Sequence, residues 1–216
     1  MTKIIIALDS SDAEESIATA QQLKDQVDGF KINHLLLEHT SVIKSFADAL
    51  FIDCKLWDTP NTVKKVMQRI VDLGATMTTV STLNSVQVFE ELQDFTNKIK
   101  LLGVTYLTSW SSEDLLGIVH QNAPLLWREN IARVRPYGFA GMICSPKDLQ
   151  TVNPLAPHML KVCPGIGTNA GQSRTTTPQQ AQELGADYLV IGRTITQSKD
   201  PVKTLIEIKE LKIPHV

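Results

Sequence analysis

Eight short apolar runs, each followed by an amphipathic stretch, predict an α/β chain folded as one (β/α)8 domain over residues 1–216, a TIM barrel. Strands that alternate with helices imply a parallel sheet covered by helices. Eight such units in 216 residues fit a closed barrel. The alternative is a doubly wound open sheet. Its Gly-rich dinucleotide turn is missing from the first strand-to-helix connection, "ALDSSD".

The expected strands are Ile4–Leu8, Gly29–Ile32, Leu50–Lys55, Ala75–Val80, Lys100–Tyr106, Phe139–Cys144, Met159–Val162 and Tyr188–Ile191. The first helix, within "SDAEESIATAQQLKDQV", has Ser11 or Asp12 as N-cap and acids in its first turn. The third-unit helix, within "NTVKKVMQRIVDLGA", places Val63, Val66, Met67, Ile70 and Val71 on one face and stops at Gly74. Asn61 is its expected cap, with Asp58 a second candidate. In "TPQQAQELGADYLVIG", Pro178 opens a helix and Gly185 closes it. "DPVKTLIEIKEL" supplies the last helix. The segment Leu107–Tyr137 is too long for one loop and one helix; "LLWRENIARV" within it reads as added helix. Its Trp110 and Trp127 read either as core or as interface anchors.

Composition narrows the function classes. A formal net charge of −2 gives no basis for bulk nucleic-acid or membrane-surface binding. No apolar run reaches bilayer-spanning length. The N-terminal "IIIAL" is interrupted by Asp9 and Asp12 and reads as a strand, not a signal peptide. Cys54, Cys144 and Cys163 are odd in number, widely spaced and without a CxxC pair, as expected of reduced thiols in a cytoplasmic protein. The five histidines form no metal-ligand spacing, so a metal site is not expected.

The charges at strand ends point to chemistry. Ionised side chains are costly to bury unless paired. Yet "FIDCKLWDTPNT" places Asp53, Lys55 and Asp58 at and just beyond the end of an apolar strand. Strand alternation puts Asp53 and Lys55 on one face and Ile52, Cys54 and Leu56 on the other. With the apolar set against the helices, the two charges point into the barrel mouth. Asp9 and Lys31 end the two preceding strands. Taken singly, Asp9 reads as a helix cap and Lys31 as a rim residue. Together they form a coupled array at the end where such barrels do chemistry. A second feature follows the late strands: "CPGIGTNAGQSRTTTP" and "IGRTI". Pro164, Gly165, Gly167 and Gly171 permit close backbone approach, Gly192 offers another accessible N–H, and Arg193 can grip a phosphate bidentately. The competing reading is a Gly-rich turn beside a surface Arg.

These motifs resemble the orotidine 5'-phosphate decarboxylase family, of the archaeal and bacterial monofunctional type. "DCKLWDTPNT" is similar to that family's D-x-K-x-x-D-[IV]-[PG]-x-T. "ALD", "FKIN", "PGI" with a downstream Q-x-R-x-x-T-P, and "GADYLVIGR" follow in order, so the likeness covers nearly the whole chain. The resemblance implies cofactor-independent conversion of orotidine 5'-phosphate to UMP. Lys31, Asp53, Lys55 and Asp58 would form the catalytic network, with Lys55 the proton donor to C6. Asp9 and Lys31 would hold ribose hydroxyls, and Thr108 would touch the pyrimidine. Gln172, Gly192 and Arg193 would bind phosphate beside Pro164 and Gly165. Asp58 and Thr62 would reach into the partner's site in a homodimer with shared active sites.

The chain departs from the pattern at several points. Thr59 replaces a hydrophobic residue, and Ser81 stands where a His often follows strand four. Gly167 replaces an Arg, Gly171 replaces an Asp, and Asn169 becomes a second candidate for the phosphate. Two other readings stay open. One is a Mg2+-dependent sugar-phosphate enzyme of the same superfamily, 3-hexulose-6-phosphate synthase or 3-keto-L-gulonate-6-phosphate decarboxylase. Lys31 counts against it, because it stands where those enzymes place a Glu ligand. The other is a silent phosphate-binding paralogue, against which the complete Asp53–Lys55–Asp58 array argues.

Overall fold

The computed structural model describes residues 2–167 and 176–211. Eight strands close a parallel barrel in sequence order. They are β1 (Lys3–Leu8), β2 (Gly29–Ile32), β3 (Ala49–Leu56), β4 (Met77–Ser81), β5 (Lys100–Val104), β6 (Gly141–Ile143), β7 (Leu160–Cys163) and β8 (Tyr188–Ile191). β1 shuts the ring by pairing with β8, Lys3 opposite Tyr188 and Ile6 opposite Ile191. Every expected strand is present; β5 ends two residues and β6 one residue short of the expected run, β7 runs one residue past it, and β8 has the expected bounds.

The helices are α1 (Ala13–Leu23), α2 (Thr40–Lys44), α3 (Pro60–Asp72), α4 (Val86–Leu92), α5 (Ser112–Val119), α6 (Ala123–Val134), α7 (Leu149–Leu155), α8 (Pro178–Glu183), α9 (Arg193–Thr196) and α10 (Pro201–Leu211). None of the described helices is long and apolar enough to cross a membrane. Asp12 caps α1, its carboxylate accepting the N–H groups of Glu14 and Glu15. Asn61 does not cap α3. Pro60 already occupies the first helical position, where its missing N–H costs nothing, so Thr59 takes the cap position. Gly74 ends this segment at φ +75°, a conformation that disfavours a Cβ. Val63, Met67 and Ile70 of α3 are buried as expected, whereas Val66 faces out at 37% exposure.

Strand alternation builds two apolar layers. Ile5, Ala7, Phe51, Met77, Leu102, Val104, Ile143, Val162, Tyr188 and Val190 fill the barrel. Ile4, Ile6, Leu8, Ile52 and Leu101 point the other way, to the helices. Full burial of each large aliphatic contributes roughly 1.5–3 kcal/mol. The plug of the inner layer closes the barrel below, so polar groups on the strand ends face an open mouth above it.

The segment after β5 carries both α5 and α6. The signal for α5 is a capping box, the Ser111 hydroxyl accepting the Asp114 N–H while the Asp114 carboxylate accepts the Ser111 N–H. Trp127 is buried at 1% exposure against Tyr106, and Trp110 packs on the same core. Both tryptophans belong to the barrel's own packing.

Candidate active site

β1, β2 and β3 deliver four alternating charges to one place. Asp9 follows β1, and its Oδ1 accepts from Lys31 Nζ at 2.8 Å. Lys31 ends β2 with its side chain 10% exposed, and its Nζ also lies 3.5 Å from Asp53 Oδ2. That oxygen accepts from Lys55 Nζ at 2.9 Å. The result is an unbroken row, Asp9–Lys31–Asp53–Lys55, in which each inner charge has an opposite charge on both sides. Burial pushes the Asp53 carboxyl upward. Lys31 and Lys55, with hydrogen bonds from Lys55 and Thr79, outweigh it and hold the group below the ordinary carboxylate range.

The expected phase of β3 holds, since Ile52 and Leu56 join the helix-facing layer and Cys54 packs on it. The end of the strand, however, is not a regular ladder. Register with β4 slips between Ile52 and Leu56: Ile52 faces Thr78 and Leu56 faces Val80. Asp53, Cys54 and Lys55 therefore share the single opposite residue Thr79, and Lys55 sits at φ +48°. A non-glycine residue in that region is uncommon and is held there by its surroundings. Nothing in "IDCKL" announces the bulge.

The row faces a cavity of about 870 Å3 at the C-terminal ends of the strands. Asp9, Lys31, Asp53, Lys55, Thr108, Pro164, Gly165, Gly192 and Arg193 all line it. Its floor is apolar, with Ala7, Val104, Ile143 and Val190 among the lining residues. Sequence-predicted residues from both ends of the chain thus meet in one site. Gly192 and Arg193 stand at the start of α9, and Arg193 is exposed. Gln172, Asn169 and Gly171 lie outside the described residues.

Asp58 and Thr62 do not line this cavity. The Asp58 carboxylate accepts the Thr59 N–H, and the Thr59 and Thr62 hydroxyls bond to each other at 3.0 Å. Thr59 is likewise absent from the cavity lining. Beside them Trp57 is 71% exposed. Asn84 fixes where this turn departs: its buried amide donates to the carbonyls of Leu56 and Ser81. Arg133 of α6 in turn donates to the carbonyls of Thr82 and Asn84.

Gly167 has a local reason. A Cβ there would meet the Thr194 hydroxyl at 2.2 Å, so a side chain at 167 requires Thr194 to turn away. The loops after β7 and β8 are that close. Among the described residues, no group of three or more His, Cys, Asp or Glu side chains is placed to hold a metal ion. The Cys144 and Cys163 sulfurs lie 3.9 Å apart, and their mutual hydrogen bond and burial push the Cys144 thiol well up. Burial also raises Cys54, so neither is a ready thiolate nucleophile.

Comparison with known proteins bears on the family and the fold. The family described as "Orotidine 5'-phosphate decarboxylase / HUMPS family" matches residues 2–208. The orotidine 5'-phosphate decarboxylase of Wolbachia pipientis subsp. Culex pipiens is 35% identical over 218 residues, covering 94% of this chain and 96% of that protein. That of Dictyoglomus thermophilum is 34% identical over 232 residues, covering 95% and 93%. Among solved structures, orotidine 5'-phosphate decarboxylase from Lactobacillus acidophilus superposes with a TM-score of 0.84 at 27% identity, covering 99% of this chain and 100% of that one.

Proposed function

The chain belongs to the orotidine 5'-phosphate decarboxylase / HUMPS family, and from that premise we propose that it converts orotidine 5'-phosphate to UMP in pyrimidine synthesis, without a cofactor, as a cytoplasmic homodimer. The observation that carries this reading is the Asp9–Lys31–Asp53–Lys55 row on one wall of the cavity.

The chemistry requires a carbanion. The bond from C6 to the carboxylate breaks, CO2 leaves, and the electron pair stays on C6. An ammonium fixed beside that carbon stabilises the developing charge and then supplies the proton. Lys55 fits both tasks, being held on Asp53 while its side chain remains 44% exposed at the cavity. Asp53 keeps the ammonium charged and aimed, and its own charge disfavours the substrate carboxylate next to it. Water then returns the proton to Lys55. Asp9 and Lys31 suit ribose hydroxyls, and Thr108 suits the pyrimidine edge. Gly192 and Arg193, with Gln172, form the phosphate grip. Binding energy from that remote group offsets the crowding at C6.

In this reading Asp58 and Thr62 act in the neighbouring subunit's site, which fits their exclusion from their own cavity and the exposure of Trp57 beside them. The Mg2+-dependent sugar-phosphate reading is disfavoured by the donor set. Lys31 already neutralises Asp9 and Asp53, and its ammonium takes the place a hard dication would need.

The test is the ultraviolet absorbance of orotidine 5'-phosphate with EDTA-treated protein, beside a Lys55→Ala control. Conversion to UMP by the unmodified protein alone is the expected result. Inactivity of both proteins, with retained phosphate-ligand binding, would support the silent paralogue instead.

A further inference from the structure

We propose that Thr79 is a positioning residue of this site: its hydroxyl holds the Lys55 backbone and the Asp53 carboxylate in their working arrangement. The inference rests on the decarboxylase reading for its kinetic consequence only.

The bulge at the end of β3 creates the need. Three residues of β3 face one of β4, so the Lys55 N–H loses its ladder partner. A buried N–H without an acceptor is costly. The Thr79 Oγ1 accepts it at 2.8 Å, and the same hydroxyl donates its proton to Asp53 Oδ1 at 2.7 Å. One fully buried hydroxyl thereby joins the backbone of one charged residue to the side chain of the other. It also fixes the plane of the carboxylate. With Oδ1 bound to Thr79, Oδ2 is the oxygen turned to Lys31 and Lys55. Without Thr79 the carboxylate is free to rotate, and Lys55 loses a restraint on its left-handed conformation. Thr79 does not line the cavity, so it acts through its partners.

The neighbouring Thr78 supplies a control. It is equally buried on the same strand, and its hydroxyl donates to the Ile52 carbonyl at 2.8 Å, on the helix-facing side. Thr78→Val and Thr79→Val each remove one buried hydroxyl and keep the side-chain shape.

The experiment compares the unmodified protein with Thr78→Val, Thr79→Val and Thr79→Ser. Two readouts are taken: turnover of orotidine 5'-phosphate, and the titration of the Asp53 carboxyl carbon by NMR. Thr79→Val should lower kcat about a hundredfold, as expected for a misplaced reacting group, with a smaller change in KM. It should also raise the Asp53 titration midpoint. Thr79→Ser should restore both, and Thr78→Val should change neither while costing thermal stability. Equal kinetics in the two valine variants with an unmoved Asp53 midpoint would overturn the proposal. If the unmodified protein is inactive, the decarboxylase reading fails, and the Asp53 midpoint alone still decides the role of Thr79.

Discussion

The stretch from Asp53 to Thr62 divides into two halves that face different places. Asp53 and Lys55 turn into their own barrel, tied to each other, to Lys31 and to Thr79. Asp58 and Thr62, only a few residues later, bond within the turn that enters α3 and stay out of the cavity. The cause is local. The bulge and the left-handed Lys55 end β3, Asn84 clamps the Leu56 carbonyl, and Pro60 starts the next helix. What looks like one cluster of charges in the sequence is thus a half turned into its own cavity, held by a network, and an exposed half, with Trp57 beside it. The first half is complete within one chain. The second is the part that the proposed homodimer would bring to a neighbouring site.

Lys55→Ala attacks the first half, and its effect is the largest expected. Removing both the stabilising charge and the proton donor should cost about 10^4-fold or more in turnover. Binding of UMP should persist, because the phosphate and ribose contacts remain. A titration with UMP beside steady-state kinetics checks the split.

Trp57→Ala probes the second half. An exposed aromatic anchor at an interface contributes about 1–3 kcal/mol to association. Dimerisation should weaken by about tenfold to a hundredfold in sedimentation equilibrium. Monomer stability should move by less than about 0.5 kcal/mol, as for other surface changes. Unchanged association would leave the exposed half without its proposed partner.

The smallest effect concerns acid stability. Asp53 has its folded-state carboxyl lowered, so its contribution is present above the unfolded value of about 4 and is lost as pH falls through the lower folded value. Urea midpoints of the unmodified protein should therefore fall between about pH 4 and the acid limit, and those of Asp53→Asn should fall less steeply. Parallel slopes would mean that the lysines do not stabilise the ionised form.

Much of this arrangement was legible in the residues. Charges that interrupt apolar runs mark strand ends, because a barrel interior tolerates them only at its mouth. This located Asp9, Lys31, Asp53 and Lys55. Thr79 left no such mark. Threonine is ordinary in a strand, and "TTVS" reads as β-propensity alone. The bulge was equally silent, since it uses a lysine rather than a glycine at positive φ. The direction of Asp58 depends on the turn that Asn84 and Arg133 hold, a contact between distant parts of the chain. The capping box of α5 was readable from Ser111 and Asp114, but "LLWRENIARV" stood out more strongly in the same segment. Val66 kept the helical spacing of its neighbours yet faces out.

The most direct test of the divided motif mixes two variants. Lys55→Ala and Asp58→Ala proteins, each inactive alone, are combined under conditions that exchange subunits, and decarboxylation of orotidine 5'-phosphate is followed. If each site takes Lys55 from one chain and Asp58 from the other, half of the dimers are mixed and each carries one intact site. Activity should then recover to about a quarter of the unmodified protein. No recovery after demonstrated exchange would mean that Asp58 does not act across the interface.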